Sequence, residues 1–186
     1  MELKSSAVLP YDPKWIIEFS SIRDRIYPLI RDLLVGFVHV GSTAVIGLAA
    51  KPVIDIDAIY GDPSVLPEII QRLETAGYQH VGDRGIEGRE AFKAPRGFRH
   101  NLYVCKDGCL ALRNHLALRD HLRSYPKDRD FYGQLKLELA PLYESSPLKY
   151  MEAKTEFILS ILRQYDLSDQ ELRSIELANK VTKSPA

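Results

Sequence analysis

Two aspartates separated by a single isoleucine, Asp55-Ile56-Asp57, stand inside an otherwise apolar run that Pro52 opens and Gly61 ends. A run of this kind predicts a strand through about Tyr60, and alternation along a strand sends both carboxylates to one face. Aspartate is poorly suited to strand interiors, and like charges this close repel unless a cation or solvent compensates them. Upstream, a second short apolar stretch, Phe37-Val38-His39-Val40, ends at Gly41-Ser42, with twelve residues between Ser42 and Asp55. A Gly-Ser turn that opens a helix offers backbone N–H groups and a hydroxyl to an anion such as phosphate. Mg²⁺ binds carboxylate oxygens and substrate phosphates together. The pattern therefore implies metal-assisted handling of a nucleotide, with Asp55 and Asp57 as metal ligands and catalytic carboxylates. Gly41, Ser42 and the Thr43 hydroxyl are the phosphate contacts.

The rest of the chain supplies a sheet and its helices. Apolar residues at spacings of three and four from Trp15 to Leu33 predict an amphipathic helix over 13–34, bent at Pro28. A short helical turn is expected over 43–49. Ser64 is the expected N-cap of a helix over 65–76 that Gly77 stops. Residues 78–81 read as a strand and 82–88, with three glycines, as a loop; 89–93 and 99–105 read as a hairpin joined across Ala-Pro-Arg-Gly. From Leu110 the pattern turns helical, over about 110–124, 127–143 and 147–165, with a last short helix from Ser168. Strands mixed with helices first and helices afterwards predict an α+β fold. It is a mixed sheet backed by helices over about 9–109, followed by a helical region over about 110–180, the 186 residues forming one domain.

Composition narrows the function classes. Twenty-five basic and 25 acidic side chains cancel, so no global field recruits nucleic acid, and no apolar stretch approaches the ~18 residues of a spanning helix. The start, Met-Glu-Leu-Lys-Ser-Ser, has no charged-then-apolar leader, and a cytoplasmic protein is expected. The two cysteines, Cys105 and Cys109, flank a Lys-Asp-Gly turn and read as free thiols. No Walker lysine motif, dinucleotide fingerprint or Gly-x-Ser-x-Gly elbow occurs.

Gly41-Ser42, twelve residues, then Asp55-Ile-Asp57 resembles the signature of the nucleotidyltransferase superfamily. Gly41-Ser42-Thr43-Ala44-Val45, Gly47-Leu48, Ala50-Lys51-Pro52 and Ile54-Asp55-Ile56 resemble the GrpB family, also catalogued as uncharacterised UPF0157 proteins. Tyr11-Asp12-Pro13-Trp15, Arg119-Asp120-Leu122-Arg123, Tyr132, Leu135-Lys136, Ala153-Lys154 and Phe157-Ile158 extend the likeness over roughly residues 9–165. The resemblance implies a nucleotidyltransferase-like core and Mg²⁺-dependent transfer of a nucleotidyl group from a nucleoside triphosphate to an unknown small-molecule or protein acceptor. Related sequences occur fused to a coenzyme A biosynthesis kinase. The alternatives are therefore an inactive nucleotide- or metabolite-binding module and an accessory interaction domain of that pathway.

The same resemblance bears on residues further from the motif. At 100–104 the family's His-His-Leu-His arrangement is here His-Asn-Leu-Tyr-Val, keeping only His100. Superfamily enzymes carry a third acidic group on a later strand, and none occurs within 97–104; Glu87, Glu90 and Asp107 lie nearby. Lys51 either neutralises phosphate or sits in solvent. Arg119 and Arg123, four apart on one helix face, either contact phosphate or anchor the helix to the sheet. Arg89, Lys136 and Lys154 are weaker candidates of that kind. His39 is expected to hydrogen-bond the Gly-Ser loop from beneath, and His100 to support the site from behind.

Overall fold

The structure, a computed structural model, describes residues 7–180. The expectation of no leader at residues 1–6 lies outside the described residues. Five strands form one mixed sheet in the order β1 (Gly36–Val40), β2 (Ile54–Tyr60), β5 (His100–Lys106), β4 (Arg89–Lys93), β3 (Gln79–Gly82). The central pair, β2 and β5, runs parallel and every other pairing is antiparallel. The α+β expectation holds, and the strand bounds fall within about two residues of those expected.

Period-two alternation gives the sheet two unlike faces. Ile54, Ile56 and Ala58 of β2, Leu102 and Val104 of β5 and Phe92 of β4 point to one side. There they form a buried core with α1 (Lys14–Ile30) and α2 (Leu66–Thr75). The other side carries Asp55 and Asp57 of β2, which pair in register with Asn101 and Tyr103 of β5. Those in turn pair with Lys93 and Ala91 of β4.

The helices of the C-terminal region stand over that polar side. They are α3 (Leu110–Ser124), α4 (Pro126–Leu142), α5 (Pro147–Leu162) and α6 (Asp169–Asn179). Their own apolar core takes in Val45 and Leu48 from the loop after β1, so this loop is clamped between sheet and helices. Among the described residues no helix is long and apolar enough to cross a membrane.

Local chemistry departs from expectation at three points. The helix expected over 13–34 ends at Ile30, with Pro28 inside it, and passes into a 3₁₀ turn, Arg31–Leu33. Ser64 does not cap α2; Asp62 accepts the Ser64 N–H at 2.9 Å and caps a preceding 3₁₀ turn, because Pro63 fits the first position of that turn. The helical turn expected over 43–49 is shorter, a single 3₁₀ turn, Ser42–Ala44, since Val45 is extended and Gly47 takes φ +85°. At the far end Ser168 and Glu171 form a reciprocal capping box at the start of α6.

Candidate functional site

A cleft of about 750 Å³ lies between the polar side of the sheet and the helices, and Gly41, Ser42, Asp55, His115 and Lys154 are among its lining residues. Gly41 has φ +70°, a conformation that favours glycine, and any side chain there would collide with Asp55 Oδ2. The Gly-Ser turn thus lies directly against the first aspartate. The turn after Ser42 is too short to carry a helix dipole, so the charge facing this loop comes from side chains.

Each carboxylate spends one oxygen and keeps the other. Asp55 Oδ1 accepts from Asn101 Nδ2 at 2.7 Å. Asp57 is fully buried, and its Oδ2 lies 2.8 Å from His115 Nδ1 on α3. Asp57 Oδ1 has no hydrogen-bond partner. A buried oxygen left without a donor is costly and needs an explanation. Burial, opposed by the Asn101 hydrogen bond, raises the Asp55 pKa. Burial disfavours the charged imidazole of His115, but Asp57 and then Asp55 outweigh it and the His115 pKa is raised.

Facing Asp55 is a group of lysines. Lys136, 2% exposed, donates from Nζ to Ser42 Oγ at 2.8 Å. Burial and then the neighbouring Lys154 hold the Lys136 pKa well below the usual range. Burial and then Lys51 lower Lys154 to about 8. The ammonium groups of Lys51 and Lys154 lie over the Tyr150 ring, 4.2 and 4.4 Å from its centroid, and Lys136 lies over Tyr132 at 4.6 Å. Burial disfavours the charged form of all three lysines and Lys154 adds to it for Lys136, a cost that an anion beside them would offset.

The remaining sequence candidates fall elsewhere. Thr43 is buried, donates to the Val53 carbonyl at 3.3 Å and lies 2.9 Å from His39 Nε2. With its hydroxyl proton committed to Val53, Thr43 accepts from His39, so both residues brace the loop from beneath. His39 also stacks on Phe19 at 4.7 Å, and burial lowers its pKa to about 4.

Arg119 donates to the His39 carbonyl at 3.1 Å and pairs with Asp120; Arg123 grips the Ala44 carbonyl at 3.0 and 2.7 Å. Of the two roles left open for these arginines, the geometry gives anchoring to the loop, with Arg119 also lining the cleft.

His100 requires correction. Alternation with Leu102 and Val104 puts it on the apolar side of the sheet, where its Nε2 lies 2.8 Å from the Tyr78 hydroxyl. It does not support the site. Of the nearby acids, Glu90 pairs with His80 at 2.7 Å, and Glu87 and Asp107 line the cleft.

The residue that the sequence reading omits is His115. Its signal was its place four residues before Arg119 on one helix face, yet its partner Asp57 lies 58 residues away, beyond any local pattern. Among the described residues no three His, Cys, Asp or Glu side chains converge as a metal-binding group. Asn101 and Tyr103 stand on the strand beside the aspartates where an acidic group was expected. The two uncommitted oxygens, Asp57 Oδ1 and Asp55 Oδ2, still fit one hard cation that takes its other ligands from water and phosphate.

Comparison with known proteins agrees with this architecture. The family model described as GrpB protein matches residues 6–164. The UPF0157 protein YqkA of Bacillus subtilis (strain 168) is 29% identical over 152 residues, 81% of this chain and 44% of that protein, so the chain spans less than half of this relative's length. The crystal structure of the conserved protein GrpB from Enterococcus faecalis superimposes with a TM-score of 0.76 at 30% identity, covering 90% of this chain and 98% of that one. The structure of Cid1 in complex with the UTP analog UMPNPP is more distant, with a TM-score of 0.49 at 17% identity over 79% of this chain and 43% of that chain, and it carries no argument here. By its family-model match and by this likeness to a solved relative, the chain belongs to the GrpB family.

Proposed function

We propose that the cleft binds a nucleoside triphosphate with Mg²⁺ and transfers its nucleotidyl group to an acceptor. The observation that carries this reading is the pair of half-committed carboxylates facing a Gly-Ser turn and a cluster of lysines. Ser42, Lys136 and Lys154 hold the β- and γ-phosphates, and Lys51 adds charge from behind Lys154. Asp55 and Asp57 would hold the cation, which supplies charge neutralisation at the reacting phosphate. The acceptor oxygen or nitrogen attacks the α-phosphorus, the P–O bond to the β-phosphate breaks and pyrophosphate leaves. His115, oriented by Asp57 at Nδ1, takes the acceptor's proton at Nε2. The helices α3, α5 and α6 contribute apolar lining that keeps water from the reacting groups.

A second reading, nucleotide binding without turnover, is favoured by Asn101 and Tyr103 standing where a further carboxylate was expected. The experiment is calorimetric titration of ATP, GTP, CTP and UTP, with and without Mg²⁺, into wild type and the Asp55→Ala/Asp57→Ala variant, followed by assay of pyrophosphate release. Mg²⁺-dependent binding lost in the variant supports the site. Binding without pyrophosphate release from any acceptor selects the second reading, and no binding of any nucleotide refutes both.

A further inference from the structure

The cleft has a second cationic end. Arg89 opens β4, and its register opposite Cys105 puts it on the same side of the sheet as Asp55 and Asp57 but two strands away. Its guanidinium lies 4.8 Å from the Tyr103 ring centroid, and Tyr103 in turn packs against His115 with ring centroids 5.8 Å apart. Arg89, Tyr103 and His115 therefore form a continuous row along the cleft, ending at Asp57. Arg89 Nε is buried with no hydrogen-bond partner, and among the described residues no carboxylate is in ion-pair contact with this guanidinium. Three other arginines on this side of the molecule are satisfied: Arg113 by Glu171, Arg119 by Asp120 and a carbonyl, Arg123 by a carbonyl. A buried guanidinium nitrogen without an acceptor carries a desolvation cost that a bound anion would offset.

The surroundings suit a small anion. Gly88 brings its backbone so close to the start of α3 that a Cβ there would press on Cys109 Cβ at 2.8 Å, which closes this end of the cleft around Arg89. Lys154 at the lysine end and Arg89 at the arginine end line one cleft of about 750 Å³, together with Asp55 and His115, and Asp57 is buried behind His115. A guanidinium fork matches the paired oxygens of a phosphate or carboxylate, whereas the lysines act as point charges.

We infer that the Arg89 end seats the acceptor, and that the acceptor is a small molecule bearing a phosphate or carboxylate group which Arg89 holds while its nucleophile reaches the Asp57–His115 pair. The inference rests on the lysine end being the triphosphate end. It makes the site two-anion: donor phosphates on Ser42, Lys136 and Lys154, acceptor anion on Arg89.

Inorganic phosphate is the probe. Calorimetric titration of phosphate into wild type, Lys154→Gln, Arg89→Gln and Arg89→Lys is expected to show two sites in wild type. Arg89→Gln weakens one of them by about tenfold or more, the scale of a lost charge-assisted contact, and leaves the Lys154-dependent site unchanged. Arg89→Lys, which keeps the charge and serves as the folding control, retains weaker binding at the same site. Acetate added as competitor separates the two acceptor chemistries: displacement of phosphate at comparable concentration assigns a carboxylate, and failure to displace it assigns a phosphomonoester. A single wild-type site removed by Lys154→Gln, or phosphate binding indifferent to Arg89→Gln, overturns the inference. Failed nucleotide binding beside an intact Arg89-dependent phosphate site refutes the reading of the lysine end alone.

Discussion

The two faces of the sheet are built from the same strands and could hardly differ more. On the α1/α2 side, Ile54, Ile56, Leu102 and Val104 are almost wholly buried among apolar neighbours. On the cleft side, the intervening residues of β2 and β5 are Asp55, Asp57, Asn101 and Tyr103. One side removes apolar area from water and stabilises the fold. The other leaves a buried carboxylate oxygen and a buried guanidinium nitrogen without partners, against His100 Nδ1 alone on the apolar side among the described residues. A chain tolerates that second side because the first stabilises the same strands. The division of labour is written at a period of two residues.

The sharpest way to break this comparison is one substitution on each side of β2. Ile56→Ala should cost about 2–5 kcal/mol of stability by urea denaturation, as a lost buried branched side chain does. Asp57→Asn, one residue on, should cost no more than about 1.5 kcal/mol, since its amide oxygen still accepts from His115 Nδ1. It should nevertheless abolish Mg²⁺-dependent nucleotide binding. If Asp57→Asn unfolds the protein as Ile56→Ala does, the polar side is structural and the comparison collapses.

A smaller effect distinguishes the faces by pH. Burial lowers Lys154 to about 8 on the cleft side, whereas burial holds His100 at about 4 on the other. Above pH 8 Lys154 is increasingly neutral and must regain a proton to pair with phosphate. Nucleotide affinity should therefore fall by up to about tenfold per pH unit above pH 8, with proton uptake on binding. Titrations at pH 7, 8 and 9 in buffers of different ionisation heat measure that uptake, which Lys154→Gln should remove. His100 stays neutral throughout this range.

The smallest effect concerns the thiols. The hydrogen bond from Cys105, with help from the Ala111 and Leu112 N–H groups at the start of α3, lowers Cys109 to about 6, although burial opposes it. The same contact raises Cys105, which is fully buried. Iodoacetamide should label Cys109 and spare Cys105, with a rate half-maximal near pH 6 because the thiolate is the nucleophile. Peptide mass mapping reads the outcome. Equal labelling of both would mean that the helix start is open.

How much of this was legible in sequence follows from how far each contact reaches. The Asp-x-Asp strand, the Gly-Ser turn and the helix bounds in the C-terminal region are local patterns and were readable. The helical turn expected over 43–49 is present only as Ser42–Ala44, because Val45 and the positive φ of Gly47 stop it early. His100 was assigned to the site by its position in a motif, but strand alternation with Leu102 and Val104 already put it on the other face. The Ser42–Lys136 and Asp57–His115 contacts span 94 and 58 residues, and no periodicity within one element can pair such residues.

The anchoring arginines have one further consequence. Arg119, Arg123 and Arg129 hold the carbonyls of His39, Ala44 and Ile46 from positions 80, 79 and 83 residues downstream. A growing chain that has left the ribosome only as far as its last strand can set the Gly-Ser turn against Asp55 through the β1–β2 register, yet it lacks His115, Lys136 and Lys154. The cleft is consequently a late product of synthesis. A truncated chain has the strands of the sheet without the helical wall that encloses the cleft.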